Sequence, residues 1–321
     1  MTKQVAAQVT RLCKAGEYNE AVRVGHAGLR AVPRSVVLHR KMAFVHAARQ
    51  DYGSALEHIT LAEGSSHGVN AKVYAERAKL EELSGTGSPN ESAAKAIALN
   101  PSQTQHIYYL AEHEWQGDYI VLDHASLVYS PIPKAASTSI KAWLFDLDVP
   151  SGGTGPGPHK RFDGRRTRRD RQRLAAETPE TYFRFAVTRN EVDRFTSYHA
   201  KNVVEGQSLS RSCGGRSEFF GLPTTPTIDE LAVNLPRYRF VFRDVAHHTL
   251  PSAAFLHPDS DFYDLVVPMA ELSTLTDRVS EHLGRQITFP HELRSSPSTQ
   301  AQVLSGAGRS ALETHLQSSL G

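Results

Sequence analysis

The sequence predicts an all-α helical repeat domain over residues 1–118, followed by an α/β domain with a parallel sheet over residues 119–321. The first is predicted by a motif that returns after 34 residues. The second is predicted by two strand–turn–helix units whose basic residues, Lys134 and Arg189, lie 55 residues apart at the strand ends. Open α/β sheets bind ligands in the crevice at the carboxyl ends of their strands. We therefore expect both units to line one anion site.

Length, charge and cysteine content narrow the class of protein. The 321 residues are enough for two hydrophobic cores, and the net charge of +2 is too small to indicate a nucleic-acid partner. Cys13 and Cys213 have neither metal-ligand spacing nor a disulfide framework, which fits a reducing compartment. The N-terminal residues lack the apolar core of a signal peptide, and no run of 18 apolar residues predicts a membrane span. We expect a cytoplasmic protein.

The N-terminal motif aligns the segments AGEYNEAV and RQDYGSAL. Tyr18 and Tyr52, and likewise Ala21 and Ala55, are 34 residues apart. The small alanines would let paired helices approach closely, a pattern typical of tetratricopeptide repeats. Such an array either supports the following domain or offers a docking surface to a protein partner. Helices are predicted over residues 3–14, 18–31, 35–48, 52–63, 69–84 and 90–99.

Five histidines are scattered over this N-terminal region: His26, His39, His46, His58 and His67. Their spacings contain no HxxxH pair, so we interpret them as surface residues of helices rather than as metal ligands. The rest of the chain gives no metal-ligand cluster either, and no metal is predicted.

The first strand–turn–helix unit has the composition of a phosphate site. Ser126–Ser130 is predicted to be a strand, which Pro131 and Pro133 end because proline cannot donate to a ladder. Small and hydroxylated residues then follow Lys134 and lead into a helix at Ile140–Leu147. Unpaired first-turn amides, the helix dipole and the lysine charge would together hold an anion. The GxxxxGK[ST] spacing of a Walker loop is absent from the sequence.

The second unit repeats this arrangement. Phe183–Thr188 alternates like a strand, Arg189 follows at its end, and Glu191–Val203 has helical spacing. The fork of guanidinium donors suits a phosphate group. We therefore expect Arg189 to be a second anion ligand.

The motif PKAASTS resembles the 5′-phosphosulfate loop of sulfotransferases that use 3′-phosphoadenylyl sulfate (PAPS), most closely the carbohydrate sulfotransferases. The segment VTRNEVDRFTSYHAK is similar to the family's 3′-phosphate element, with Asn190 and Glu191 in place of the usual Asp-Pro. Arg194 matches a second arginine of the pattern, which we interpret as pairing structurally rather than touching ligand. The resemblance covers about residues 125–285 and implies a P-loop-like three-layer sulfotransferase fold with a parallel sheet. It assigns nucleotide binding to Lys134, Ala135, Ala136, Ser137, Thr138, Ser139, Arg189 and Ser197.

The reaction that the resemblance implies is transfer of a sulfuryl group from PAPS to a hydroxyl of an acceptor, a carbohydrate or a small glycosylated or hydroxylated metabolite. Lys134 would neutralise charge on the leaving 5′-phosphate, and His159 or His248 would take the acceptor proton. His248 matches the histidine of the family's xxHWxPQ segment, and His159 precedes a basic run over residues 160–173. That run would either attract an anionic ligand or form a solvated face. The resemblance implies no metal, and the missing N-terminal anchor of eukaryotic relatives points to a bacterial-type soluble enzyme.

Two other classes of function stay open. A kinase-like phosphoryl transferase would need Mg²⁺, and no paired aspartates after a strand are evident to hold one. The other class is a repeat scaffold whose second domain has lost activity. The presence of all four predicted ligands argues against that loss: Lys134, Thr138, Arg189 and Ser197.

The remaining elements follow from local pattern. Residues 204–227 are predicted to be a long loop, and Thr227 to cap a helix. The sequence further predicts strands over Tyr238–Arg243 and Phe262–Val267, a helix ending near Leu283 and a weak helix near residues 309–319.

Overall fold

The computed structural model describes residues 2–100, 103, 119–148, 166–167, 179–257, 259–289 and 302–317. The chain forms two compact units. The first, which we call the helical unit, consists of Met1–His113, Asn202–Ala246 and Leu304–Gly321; the second, the sheet unit, consists of Glu114–Lys201 and His247–Val303. The predicted domain boundary after residue 118 lies outside the described residues and stays a prediction.

The elements are numbered here in chain order. The helices are α1 (Thr2–Lys14), α2 (Tyr18–Ala31), α3 (Val36–Ala48), α4 (Tyr52–Ser65), α5 (Ala71–Ser84), α6 (Pro89–Leu99), α7 (Ser137–Asp148), α8 (Glu191–Tyr198), α9 (Ser208–Ser212), α10 (Ile228–Val233), α11 (Leu235–Val241), α12 (Arg243–His248), α13 (Leu272–Leu283) and α14 (Gly306–Gln317). A π-helix, His199–Glu205, continues α8. The strands are β1 (Tyr119–Leu122), β2 (Leu127–Ser130), β3 (Arg166–Thr167), β4 (Phe183–Thr188), β5 (Glu218–Phe219), β6 (Leu222–Pro223) and β7 (Leu265–Pro268).

Six N-terminal helices form where the sequence predicts them, each end within two residues of its predicted position. Ser35, Asp51 and Asn70 cap α3, α4 and α5, because each side-chain oxygen accepts a hydrogen bond from a first-turn amide. Ala21 and Ala55, one motif apart, are both fully buried where neighbouring helices pack. The predicted all-helical region is thus confirmed, and its assignment to tetratricopeptide units stays a prediction.

One predicted strand of the helical unit is wrong. Tyr238–Arg243 is not extended: α11 ends at Val241, and α12 begins at Arg243. The alternating aromatics suggested a strand, but Leu235, Tyr238 and Phe242 are buried at helical spacing, and the rings of Tyr238 and Phe242 stack with centroids 6.0 Å apart.

The predicted loop over residues 204–227 is also more ordered than expected. It contains α9 and an antiparallel hairpin of β5 and β6. Phe220, between the two strands, is buried and meets the ring of Phe44 edge-on with centroids 5.5 Å apart. This contact between Phe220 and Phe44 gives the hairpin a hydrophobic surface to pack against. The predicted cap at Thr227 is confirmed as a capping box with Glu230.

The sheet unit confirms the α/β prediction, with a mixed, mostly parallel sheet in the order β3-β1-β2-β4-β7. β4 runs parallel to both β2 and β7, whereas β1 runs antiparallel to β2 and β3. The antiparallel strand arises because a single turn, Asp123–Ala125, joins β1 to β2, and so short a connection cannot make a parallel crossover. Helices α7 and α13 contribute Trp143 and Leu275 to the core that covers the sheet.

Candidate functional site

The two predicted anion-binding units meet at one end of the sheet. β2 and β4 are parallel neighbours, with Ser130 opposite Ala186, so the chain leaves both strands at the same edge. There Nη1 of Arg189 donates a hydrogen bond to the backbone carbonyl of Lys134 across 3.3 Å. Two basic residues that are 55 residues apart in the chain are therefore adjacent in the fold.

The loop after β2 has an unusual backbone. Lys134 and Ala136 both have left-handed φ angles, of 64° and 57°, and Ala135 between them is fully buried. Each left-handed non-glycine residue costs roughly 1–2 kcal/mol, a strain that proteins retain mainly at ligand-binding and active sites. The amide of Ala135 donates to the carbonyl of Ile132 at 3.3 Å and closes the turn. We call residues 131–139 the cradle.

Helix α7 begins directly after this turn. Where the turn enters the helix, the amide of Ile140 donates a hydrogen bond to the carbonyl of Ala136 at 3.0 Å. Amides earlier in the helix have no carbonyl four residues back within it, and the helix dipole favours an anion at this end. Alanine at position 136 brings no side-chain oxygen to cap the first turn. Ser137 and Ser139 are half-buried here, and Thr138 is exposed.

The entry into α8 explains how this sequence accommodates its departure from the sulfotransferase pattern. Asn190 caps the helix: its Oδ1 accepts from the amides of Val192 at 3.0 Å and Asp193 at 3.3 Å. Asparagine is among the best capping residues, so the helix starts firmly without Asp-Pro. Arg189, immediately before the cap, is half-buried at the sheet edge.

Ser197 lies near the other end of α8 and is half-buried. Among the described residues its hydroxyl has no hydrogen-bond partner, while Tyr198 beside it is fully buried and fixes this end of the helix. No hydrogen bond joins Ser197 to Arg189 in the described part of the chain. The sequence-based assignment of Ser197 to a phosphate stays a prediction.

Arg194 has the structural role predicted for it. Its side chain is 1% exposed, and its Nη1 pairs with Oε2 of Glu191 at 2.6 Å. Burial lowers the pKa of this guanidinium from its ordinary value, and the charge of Glu191 opposes that shift. Further hydrogen bonds from Nε and Nη1 reach the carbonyls of Pro133 and Leu250, whereas the buried Nη2 has no hydrogen-bond partner within the described part of the chain. Arg194 is therefore held by protein groups rather than presented to solvent.

Of the two candidate bases, the structure describes one. His248 ends α12 and is half-buried, with its ring stacked on that of Tyr198 at 5.0 Å and 15°. It therefore lies against the C-terminal end of α8. His159 and nearly all of the basic run over residues 160–173 lie outside the described residues.

Four histidines that appeared scattered in the sequence form a cluster in the helical unit. The ring of His58 on α4 has its centroid 5.3–6.1 Å from those of His26, His39 and His46. Burial, followed by the influence of the other three rings, lowers the pKa of His58 to about 4. Sequence reasoning missed this cluster because its members come from three helices at spacings without a pattern. In the part of the chain that is described, no group of three or more His, Cys, Asp or Glu residues is arranged to hold a metal ion.

The fold and the contact between Arg189 and Lys134 define a class of protein: an α/β protein with two basic residues side by side where two parallel strands end. Comparison with known families identifies it further. Residues 117–314 match the Sulfotransferase family, and because this is more than half of the chain, the protein belongs to that family. Comparisons with curated proteins and with solved structures gave no significant match. Separately, no helix among the described residues is both long and apolar enough to cross a membrane.

Proposed function

We propose that this protein transfers a sulfuryl group from PAPS to a hydroxyl group of an acceptor, a carbohydrate or a small glycosylated or hydroxylated metabolite. Membership of the sulfotransferase family supports a sulfotransfer reaction in general. The observation that carries the more specific proposal is the hydrogen bond between Arg189 and the carbonyl of Lys134. It brings together, at one edge of the sheet, the two basic residues that would bind the two separate phosphate groups of the nucleotide.

The cradle would bind the 5′-phosphosulfate. The start of α7 supplies donors that point out of the helix, and Lys134 supplies a full positive charge. Arg189 would bind the 3′-phosphate, with Ser197 adding a hydroxyl donor from the end of α8. Holding the nucleotide at both phosphates fixes the sulfur atom in line with an attacking hydroxyl.

In this reaction a bond forms between the acceptor oxygen and sulfur, while the bond between sulfur and the 5′-phosphate oxygen breaks and leaves its electron pair on that oxygen. Lys134 and the first turn of α7 would stabilise the negative charge that develops there. Preorganised stabilisation of this kind is commonly the largest catalytic contribution, on the order of 3–4 kcal/mol for one donor.

His248 or His159 would accept the proton of the acceptor hydroxyl. His248 is supported by its place beside α8, where stacking on the buried ring of Tyr198 fixes its plane. A general base needs such a fixed orientation as well as a suitable pKa.

We further propose a cytoplasmic location and a protein partner for the helical repeats. The fully buried alanines Ala21 and Ala55 support a stacked array, and stacked arrays of this kind offer extended binding surfaces.

The decisive experiment is calorimetric titration of the full chain with adenosine 3′,5′-bisphosphate, 5′-AMP and ATP with Mg²⁺. We expect binding that requires the 3′-phosphate and is weakened in Lys134→Ala and Arg189→Ala. Lys72→Ala and Arg278→Ala, at exposed positions on α5 and α13, are the matched controls. Binding of ATP with Mg²⁺ and indifference to the 3′-phosphate would favour a phosphoryl transferase instead. No binding of any nucleotide would favour an inactive scaffold.

A further inference from the structure

Three segments of the sheet unit meet at one ion pair, in which Arg194 is buried and Glu191 is partly exposed. Arg194 and Glu191 lie one turn apart on α8, and Arg194 also contacts the cradle at Pro133 and the chain at Leu250 and Ser252. We call this group of five residues the Arg194 junction. It includes Pro133 of the cradle but neither Lys134 nor Arg189.

On the cradle side, two arginines hold two successive carbonyl groups. Nε of Arg194 donates to the carbonyl of Pro133 at 2.9 Å, and Nη1 of Arg189 donates to that of Lys134 at 3.3 Å. In a trans peptide the N–H group points opposite to the carbonyl, so holding the Pro133 carbonyl also fixes the direction of the next amide. Arg194 therefore helps to impose the left-handed backbone of Lys134.

On the other side, the junction holds the chain that follows His248. Nη1 of Arg194 donates to the carbonyl of Leu250 at 2.8 Å and to Oγ of Ser252 at 3.2 Å. The amide of Ser252 donates to Oε1 of Glu191 at 2.7 Å, so both members of the ion pair contact this segment. The stack of His248 on Tyr198 adds a second contact between the same segment and α8.

The chemistry of arginine makes this arrangement specific. Its guanidinium is planar and presents donors in fixed directions, so the positions of the Pro133 and Leu250 carbonyls are set relative to each other. A lysine would keep the charge but has one nitrogen, which cannot take both the Nε and the Nη1 position. Packing of the guanidinium over the ring of Phe255, at 5.6 Å from its centroid, further restricts its orientation.

We propose that Arg194, paired with Glu191, is a positioning residue that couples the geometry of the cradle to that of the segment carrying His248. Nucleotide affinity then depends on a residue that does not touch the nucleotide. This inference rests on the proposed function, because it assigns the cradle to the nucleotide.

The test measures the Kd of adenosine 3′,5′-bisphosphate in Arg194→Lys by calorimetry, on protein whose folded fraction is measured by near-ultraviolet circular dichroism. We expect the Kd to rise about tenfold in the folded protein. A merely structural role would reduce the folded fraction and the number of sites but would leave the Kd of the folded molecules unchanged. Arg278→Lys, at an exposed ion pair on α13, is the matched control and should bind as the wild type does.

If Arg194→Lys does not fold, Glu191→Gln takes its place, since glutamine keeps an acceptor for the Ser252 amide while removing the charge. We expect its Kd to rise about threefold or more. A folded variant with the wild-type Kd overturns the inference and leaves the proposed function intact. Failure of the wild-type protein to bind the bisphosphate overturns the proposed function itself, and the junction then has no nucleotide to position.

Discussion

Arg189 reaches across the sheet edge to hydrogen-bond the backbone carbonyl of Lys134, the residue at the start of the cradle. This hydrogen bond uses Nη1 of the guanidinium. A guanidinium has five N–H donors in a fixed plane, so the others can still bind a ligand. It also places a side chain of the second predicted anion-binding unit against the backbone of the first. If both units bind one nucleotide, as we propose, a change at Arg189 should also affect the cradle.

This contact predicts a graded response to substitution of Arg189. Lysine keeps the charge but cannot hold the Lys134 carbonyl and a phosphate with a planar fork, whereas alanine removes both interactions. Since hydrogen bonds to charged groups contribute about 1.5–3 kcal/mol, we expect affinity for adenosine 3′,5′-bisphosphate to fall about tenfold in Arg189→Lys and about 100-fold in Arg189→Ala. Calorimetry with 5′-AMP is the internal control, because affinity for a nucleotide without the 3′-phosphate should change much less. Equal losses for both nucleotides would contradict the assignment of Arg189.

The local features of this site could be predicted from sequence, because each unit is a continuous stretch in which strand, turn and helix follow one another. The partners of Arg194 could not. Leu250 is 56 residues away and Pro133 is 61 residues away in the opposite direction, and both contribute only backbone carbonyls, which leave no trace in the side-chain sequence.

The errors in the predicted fold have a related cause. Alternating aromatics around Tyr238 and Phe240 satisfied a strand pattern, but the tertiary core buries this segment at helical spacing, and Pro236 in the first turn suits a helix start. The histidine cluster could not be predicted from the sequence, for the opposite reason. Its members have no local pattern at all and meet only once α2, α3 and α4 pack.

The repeat packing of the helical unit predicts that enlarging a buried alanine is harmful. Ala55 is fully buried, with Ile59 and Val73 in the same core cluster, so Ala55→Leu forces extra volume into a close helix contact. We expect the free energy of unfolding, measured with urea, to fall by ~1–3 kcal/mol. Glu57→Leu on the exposed face of α4 is the control and should change it by about 0.5 kcal/mol at most. A wild-type stability in Ala55→Leu would show that this contact is loose.

The two cysteines are expected to differ sharply in reactivity. Burial raises the pKa of the Cys13 thiol to about 11, and the side chain is 4% exposed, so little thiolate forms and reagents cannot reach it. Cys213 is only half-buried. Iodoacetamide at neutral pH should therefore label Cys213 first, and Cys13 only after denaturation, as read by peptide mass spectrometry. In Cys213→Ser the native protein should stay unlabelled; rapid labelling of Cys13 there would contradict its burial.

The histidine cluster predicts a stability that depends on pH. His58 has a pKa of about 4 in the folded protein, below its ordinary value of 6.5, because burial and three neighbouring histidines disfavour its charged form. The unfolded chain therefore binds more protons between these two pH values, so the stability that His58 supports is present above pH 6.5 and is lost as the pH falls toward 4. We expect the urea midpoint of the wild-type protein to fall as the pH is lowered from 6.5 to about 4. The midpoint of His58→Gln should fall less steeply over the same pH range.

The control for this effect is a histidine outside the cluster. His67 follows α4, and its left-handed backbone, with a φ of 53°, makes asparagine the fitting replacement. His67→Asn should keep the wild-type pH dependence, because it leaves the four clustered rings in place.

Glu82 contributes to the pH dependence with the opposite sign. Burial raises the pKa of its carboxyl to about 7, so its stability contribution is fully present at low pH and is lost as the pH rises through 7. Since Glu82 is unchanged in all three proteins, it cancels in the comparison. Parallel pH profiles for the wild type and His58→Gln would therefore show that the cluster accepts protons without cost.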